Sequence, residues 1–175
     1  TSCLSLFRSI SDGLSGIGQS RIEAVSSRPK ILNMVRLSDE FSMAKSYLVL
    51  EDGSVFEGEP FGYRESAAGE VVFSTGMSGY QESITDPSYG GQILVMTYPL
   101  VGNYGIHAHH SQSSRAHIKG LVVREYCKEP SPMYGGRTLD DFLKENNVPG
   151  ISGIDTRALV IKIRTEGTLR GAITG

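Results

Sequence analysis

The chain has 175 residues, of which 39% are hydrophobic and 21% charged, and its formal net charge is −2. That balance suits one globular domain with a real core, and it gives no general electrostatic drive toward nucleic acid or a membrane surface. No stretch approaches the roughly 18 consecutive apolar residues that a membrane-spanning helix needs. Cys3 and Cys127, the only two cysteines, are neither a disulfide framework nor a zinc-type pair, so a reducing, cytoplasmic setting is the expectation.

Thr1 to about Phe41 differs in character from the rest of the chain. Between Thr1 and Arg36 lie eight serines, five basic residues and two acids, with no sustained hydrophobic period. Three readings stay open: an organellar leader, which is typically Arg- and Ser-rich and acid-poor; an extension of artificial or gene-prediction origin; or an arm packed on the core. Residues 1–44 are accordingly set apart from a domain over 45–175.

From Lys45 the pattern becomes regular. Ser46–Glu51 reads as a strand, and Asp52-Gly53 as a hairpin turn into a second strand over Ser54–Glu57. Gly69–Ser74 is a third strand. Ser78–Thr85 is compatible with a short helix, and Asp86-Pro87-Ser88-Tyr89 is a turn leading to Gly90-Gly91. The fourth strand, Gly91–Thr97, contains four consecutive apolar residues, Ile93 to Met96, which predicts burial on both faces.

A long loop from Gly102 to about His117 comes next, then a fifth strand over Ile118–Tyr126. Thr138 is placed to cap a helix over Leu139–Asn146, whose Leu139, Phe142 and Leu143 share one face. Ile151–Ile154 is a short strand, and Asp155 caps a second late helix that runs to about Glu166 and stops at Gly167. Thr168–Thr174 is the last strand. Early strands and late helices predict an α+β domain, a layered β/β/α arrangement with two late helices.

Several chemistries find no support in these residues. There is no phosphate loop, and Gly13-Leu-Ser-Gly16-Ile-Gly18 follows no strand, which argues against a dinucleotide site. His107, His109, His110 and His117 invite a metal, since imidazole is a common ligand, but no carboxylate or thiolate stands among them. A solvated loop is the favoured reading there, with no metal site. Cys127, beside Lys128, lacks a nucleophile-elbow pattern and reads as a structural thiol. The segment Thr75–Tyr89 concentrates glycines, hydroxyls and acids, which suits close approach to a ligand or a partner chain, though by composition alone an ordinary turn is the better reading.

The same segment belongs to a series of ordered blocks. Leu48–Gly53, Gly69–Phe73, Gly79–Glu82, Thr85–Tyr89, Gly91–Ile93, Tyr98-Pro99, Gly102-Asn103, Gly120–Arg124 and Gly153–Arg157 resemble the signature of the carbamoyl-phosphate synthetase small chain, from about Ser46 to Gly175. The resemblance implies an amino-terminal domain of swivelling β/β/α type. In the family it precedes a class I amidotransferase domain whose Cys-His-Glu triad releases ammonia from L-glutamine. The large subunit then uses ATP, Mg and bicarbonate to make carbamoyl phosphate for pyrimidine and arginine synthesis.

It also implies that this domain has no cofactor of its own, carries no catalytic residue, and docks the amidotransferase domain against the large subunit. One residue carries over by position: Ser88, in the Asp-Pro-Ser-Tyr segment, matches the family's serine and would be the one that reaches glutamine. A hydroxyl suits that task because it both donates and accepts. The alternative is a free-standing interaction module of the same fold without enzyme activity.

Overall fold

The computed structural model describes residues 45–132 and 136–174. The readings of residues 1–44 and of Cys3 lie outside the described residues. Among the described residues, nine strands and three α-helices follow in the order β1 (Ser46–Leu50), β2 (Val55–Gly62), β3 (Ala67–Ser74), α1 (Tyr80–Thr85), β4 (Gln92–Met96), β5 (Leu100–Val101), β6 (Gly120–Val122), β7 (Glu125–Tyr126), α2 (Leu139–Glu145), β8 (Pro149–Ser152), α3 (Thr156–Glu166) and β9 (Leu169–Ile173).

The α+β character expected from the sequence is present, but the strands do not form open layers. They close into a barrel in the order β1-β2-β8-β6-β4-β3-β9, with β5 and β7 as a separate two-stranded sheet. The consecutive barrel strands β8, β6, β4 and β3 run parallel to one another, whereas the pairs through β1, β2 and β9 are antiparallel. Closure satisfies the backbone groups that open sheet edges would leave unpaired.

The Asp52-Gly53 hairpin forms as read. Leu50 N–H donates to Ser54 O at 2.9 Å, and Asp52 Oδ1 accepts from Ser54 N–H at 2.9 Å. Strand β2 runs five residues past its expected end, because Glu59 to Gly62 pair with Ser152 to Pro149 of β8. Gly58 and Pro60 disguise that extension in the sequence, since both residue types usually weaken or interrupt strands. The expected strand over Ile118–Tyr126 divides in two. Gly120–Val122 stay in the barrel, while Glu125-Tyr126 pair with Leu100-Val101.

Burial of both faces of β4 is fully realised: Ile93, Leu94 and Val95 are 0% exposed and Met96 is 2%. Ile93 and Val95 join one apolar cluster with Leu48, Leu50 and Ile151 and with Leu159 and Ile163 of α3. Leu94 and Met96 join the other, with Tyr80 and Ile84 of α1 and Leu139, Phe142 and Leu143 of α2. The sheet is thus the partition between two cores, each closed by helices.

Both predicted helix caps are present. Thr138 Oγ1 accepts from Asp141 N–H at 3.0 Å, and Asp155 Oδ1 accepts from Ala158 N–H at 3.0 Å. Gly62 N–H donates to Asp140 Oδ1 at 2.6 Å, which ties the start of α2 to the end of β2. Among the described residues no helix is long and apolar enough to cross a membrane.

Candidate functional site

Helix α1 stands on the crossover between the parallel strands β3 and β4. It begins after Gly79, whose left-handed backbone (φ 78°) turns the chain from the Gly76–Ser78 segment into the helix. The Gly79 N–H is left without a helical partner and donates instead to Tyr104 Oη at 3.0 Å. The Tyr80 and Tyr104 rings stack at 4.3 Å, and Tyr80 Oη donates to Gly105 O at 2.5 Å. Burial pushes both phenols up from the usual tyrosine value. They stay protonated and act as hydrogen-bonding struts.

The buried face of α1 carries Tyr80 and Ile84 together with two polar residues, Gln81 and Thr85, both 0% exposed. Gln81 Nε2 donates to His107 O at 2.6 Å and to Ser111 Oγ at 2.7 Å, while its Oε1 accepts from His107 N–H at 2.9 Å. Thr85 Oγ1 donates to Gln81 O at 2.8 Å and accepts from Gln112 N–H at 2.9 Å. Ser113 Oγ donates to Thr85 O at 2.7 Å, and His117 N–H donates to Ile84 O at 3.0 Å. The loop between Gly102 and His117, expected to be a solvated loop, is therefore bound along α1 by named bonds. The sequence reading placed Gln81 and Thr85 in a segment suited to a ligand or a partner chain, and not in a buried clamp. Their signal was two polar residues four apart on the same helical face as Tyr80 and Ile84.

The expected turn comes directly after the helix. Pro87–Tyr89 form a single 3-10 turn, and Asp86 caps it by accepting from Ser88 N–H at 2.8 Å. This backbone bond, with the Ser88 hydroxyl second, holds the Asp86 carboxyl below the usual aspartate value. Ser88 itself is exposed. Its hydroxyl sits on a backbone fixed from one side by Asp86 and from the other by the Gly91 N–H, which donates to His117 O at 3.3 Å.

The histidines gather more closely than an extended loop would allow. A 3-10 turn over Ala108–His110 brings the His109 and His110 rings to 5.3 and 5.1 Å from that of His107. His107 Nδ1 accepts from the His109 N–H, and His117 Nε2 lies 3.0 Å from Ser113 Oγ. Among the described residues no group of three or more His, Cys, Asp or Glu side chains is arranged to hold a metal.

Cys127 Sγ donates to Glu129 O at 3.2 Å and lines an open cavity of about 550 Å³ with Arg124, Lys128, Glu59 and Tyr126. No histidine is among the residues lining it. The cavity therefore brings no imidazole to the thiol.

Comparison with known proteins bears on the chain as a whole. The family model for the carbamoyl-phosphate synthase small chain, CPSase domain, matches residues 48–173. A carbamoyl phosphate synthase small chain of Caldanaerobacter subterraneus is 59% identical over 130 residues, which cover 74% of this chain and 36% of the relative. That of Bacillus caldolyticus is 56% identical over 131 residues, 75% of this chain and 36% of its own. The pyrimidine-specific small chain of Bacillus subtilis is 55% identical over 127 residues, 73% of this chain and 35% of its own.

Among solved structures, an aminopeptidase from Aneurinibacillus sp. strain AM-1 aligns with 74% of this chain and 30% of its own. Its 15% identity and TM-score of 0.43 are too slight to bear on chemistry. The chain spans about a third of the length of the curated relatives it matches. With residues 48–173 matched from β1 through β9, the chain belongs to the carbamoyl-phosphate synthase small chain family.

Proposed function

We propose that this domain serves the glutamine-hydrolysing subunit of a carbamoyl-phosphate synthase as scaffold and docking surface, and that Ser88 supplies one contact to L-glutamine. In this reading ammonia is released from glutamine by an amidotransferase domain elsewhere in the small chain. The large subunit consumes that ammonia with bicarbonate and ATP. The domain alone is inactive, since it contributes position and binding and no nucleophile.

The observation that carries the reading is the exposed residue Ser88 on a turn braced by Asp86. A binding hydroxyl is most useful when the backbone beneath it is already ordered, because little entropy is then lost as the ligand binds. The surrounding network supplies that order: Gln81 and Thr85 lock α1 to the 107–117 loop, and α1 leads straight into the turn. Covalent amide hydrolysis needs a thiolate with a base beside it, and the Cys127 cavity is lined by no histidine, which supports a binding role over a chemical one.

The test is Ser88→Ala in a complete small chain assembled with its large subunit. Loss of one hydrogen bond to substrate is expected to raise the glutamine KM about tenfold, and to raise it more than kcat falls. An unchanged KM would remove Ser88 from the site. Failure of the small chain to co-migrate with the large subunit on a sizing column would favour a free-standing interaction module instead.

A further inference from the structure

Beside α1 lies a second cavity, of about 250 Å³, lined by Ser78, Gly79, Glu82, Tyr104 and His110. It is separate from the Ser88 turn, and the docking role above assigns no residue in it. Glu82 is half-buried, and its Oε2 is shut off from solvent with no hydrogen-bond partner among the described residues. Nor does any lysine or arginine among them form an ion pair with Glu82.

A sealed carboxylate oxygen without a donor is costly, because it has given up water and received nothing in exchange. The adjoining cavity has the dimensions of a side chain. Its lining offers hydroxyl oxygens and an aromatic ring, the groups that receive an organic cation. The terminal torsion of a glutamate is soft, so a small rotation presents Oε2 to an occupant of the cavity.

We infer that Glu82 is the base of a socket for a basic side chain, arginine or lysine, projecting from a protein partner. The surroundings favour a protein over a free small cation. Met77, next to Ser78 in the chain, is 79% exposed, and Tyr98, which shares a shallow cleft with Met77 and Ser78, is 41% exposed. Exposed methionine and aromatic side chains are enriched at protein interfaces, and the carboxylate beside them is complementary to a basic side chain.

The experiment is a titration of the isotope-labelled chain followed by NMR at the Gly79 and His110 amides. The probe is Nα-acetyl-L-arginine amide, and its neutral isostere, Nα-acetyl-L-citrulline amide, is the control. The expected result is saturable shifts with the arginine compound, none with the citrulline compound, and roughly tenfold weaker binding in Glu82→Gln. No saturable response, an equal response to citrulline, or undiminished binding in Glu82→Gln would overturn the assignment.

Saturation by L-glutamine but not by the arginine amide would transfer the site to a substrate ammonium and overturn it equally. Should Glu82→Gln fail to fold, His110→Lys takes its place. A lysine built into the cavity rim is expected to abolish the titration, and unaltered binding in that variant would also count against the socket. None of these outcomes depends on Ser88, so the socket and the glutamine contact fail independently.

Discussion

The side chain of Gln81 grips the backbone of His107 at two points, donating from Nε2 to its carbonyl at 2.6 Å and accepting from its N–H at 2.9 Å. With no exposed surface, Gln81 cannot exchange either bond for water. The clamp therefore joins two segments 26 residues apart in the chain.

Replacing Gln81 by alanine removes both bonds, together with the one to Ser111, and strands buried backbone groups of His107. A loss of about 2–4 kcal/mol in urea-unfolding free energy is expected. Amide hydrogen exchange is expected to rise first between residues 107 and 113. A loss below about 0.5 kcal/mol would show that the loop is held by something else.

The Asp86 cap makes a pH-dependent prediction. The folded carboxyl lies below its unfolded value because Ser88 N–H and then the Ser88 hydroxyl bond to the ionised form. A lowered folded value means the stabilisation is complete above the unfolded pKa, about 4. It is lost as pH falls through the lower folded one. NMR titration of the Ser88 amide should therefore give a midpoint below that of an unstructured aspartate peptide. Asp86→Ala should abolish the transition, and a midpoint at or above the peptide's would refute the cap.

Gly69 marks a close approach rather than a turn. A Cβ placed there would lie 2.5 Å from the carbonyl oxygen of Gly91. That obstacle is backbone, in the strap that joins the Ser88 turn to β4. Gly69→Ala is expected to cost about 1–3 kcal/mol and to shift the amide resonances of residues 88–92. A variant as stable as the parent would mean that β3 and this strap can separate freely.

Thr138 gives a local control. Its hydroxyl oxygen accepts from Asp141 N–H and its proton goes to Asp141 Oδ2 at 2.7 Å. Thr138→Ala should lower unfolding stability by about 1 kcal/mol, while Thr138→Ser restores most of it. Equal loss in both variants would point to packing of the methyl group instead of the cap.

Local features were legible in the residues themselves. The Asp52-Gly53 hairpin, the caps at Thr138 and Asp155, and the double burial of Ile93–Met96 each depend on neighbours within a few positions. The ordered blocks from Leu48 to Arg157 likewise carried the family, because a family is written in residue order. The Ser88 turn was legible for the same reason, since Asp86 reaches only two residues along the chain to cap it.

Tertiary structure decided what depends on partners distant in sequence. Closure of the barrel needs β2 to pair with β8, whose Ser152 is 93 residues from Glu59. No local pattern records that pairing, and Gly58 and Pro60 conceal it. The division of Ile118–Tyr126 between two sheets is equally a choice made by its partners, β4 and β8 on one side and β5 on the other. The conversion of the 102–117 segment from a solvated loop into a bound one rests on Gln81 and Thr85. Their polar side chains take a role only when a second segment brings its unpaired backbone groups against them. Sequence alone thus determined the short-range elements and the family. The long-range hydrogen bonds that close the barrel and brace the Ser88 turn could be decided only when the whole chain had folded, because each requires two distant segments to satisfy one another at once.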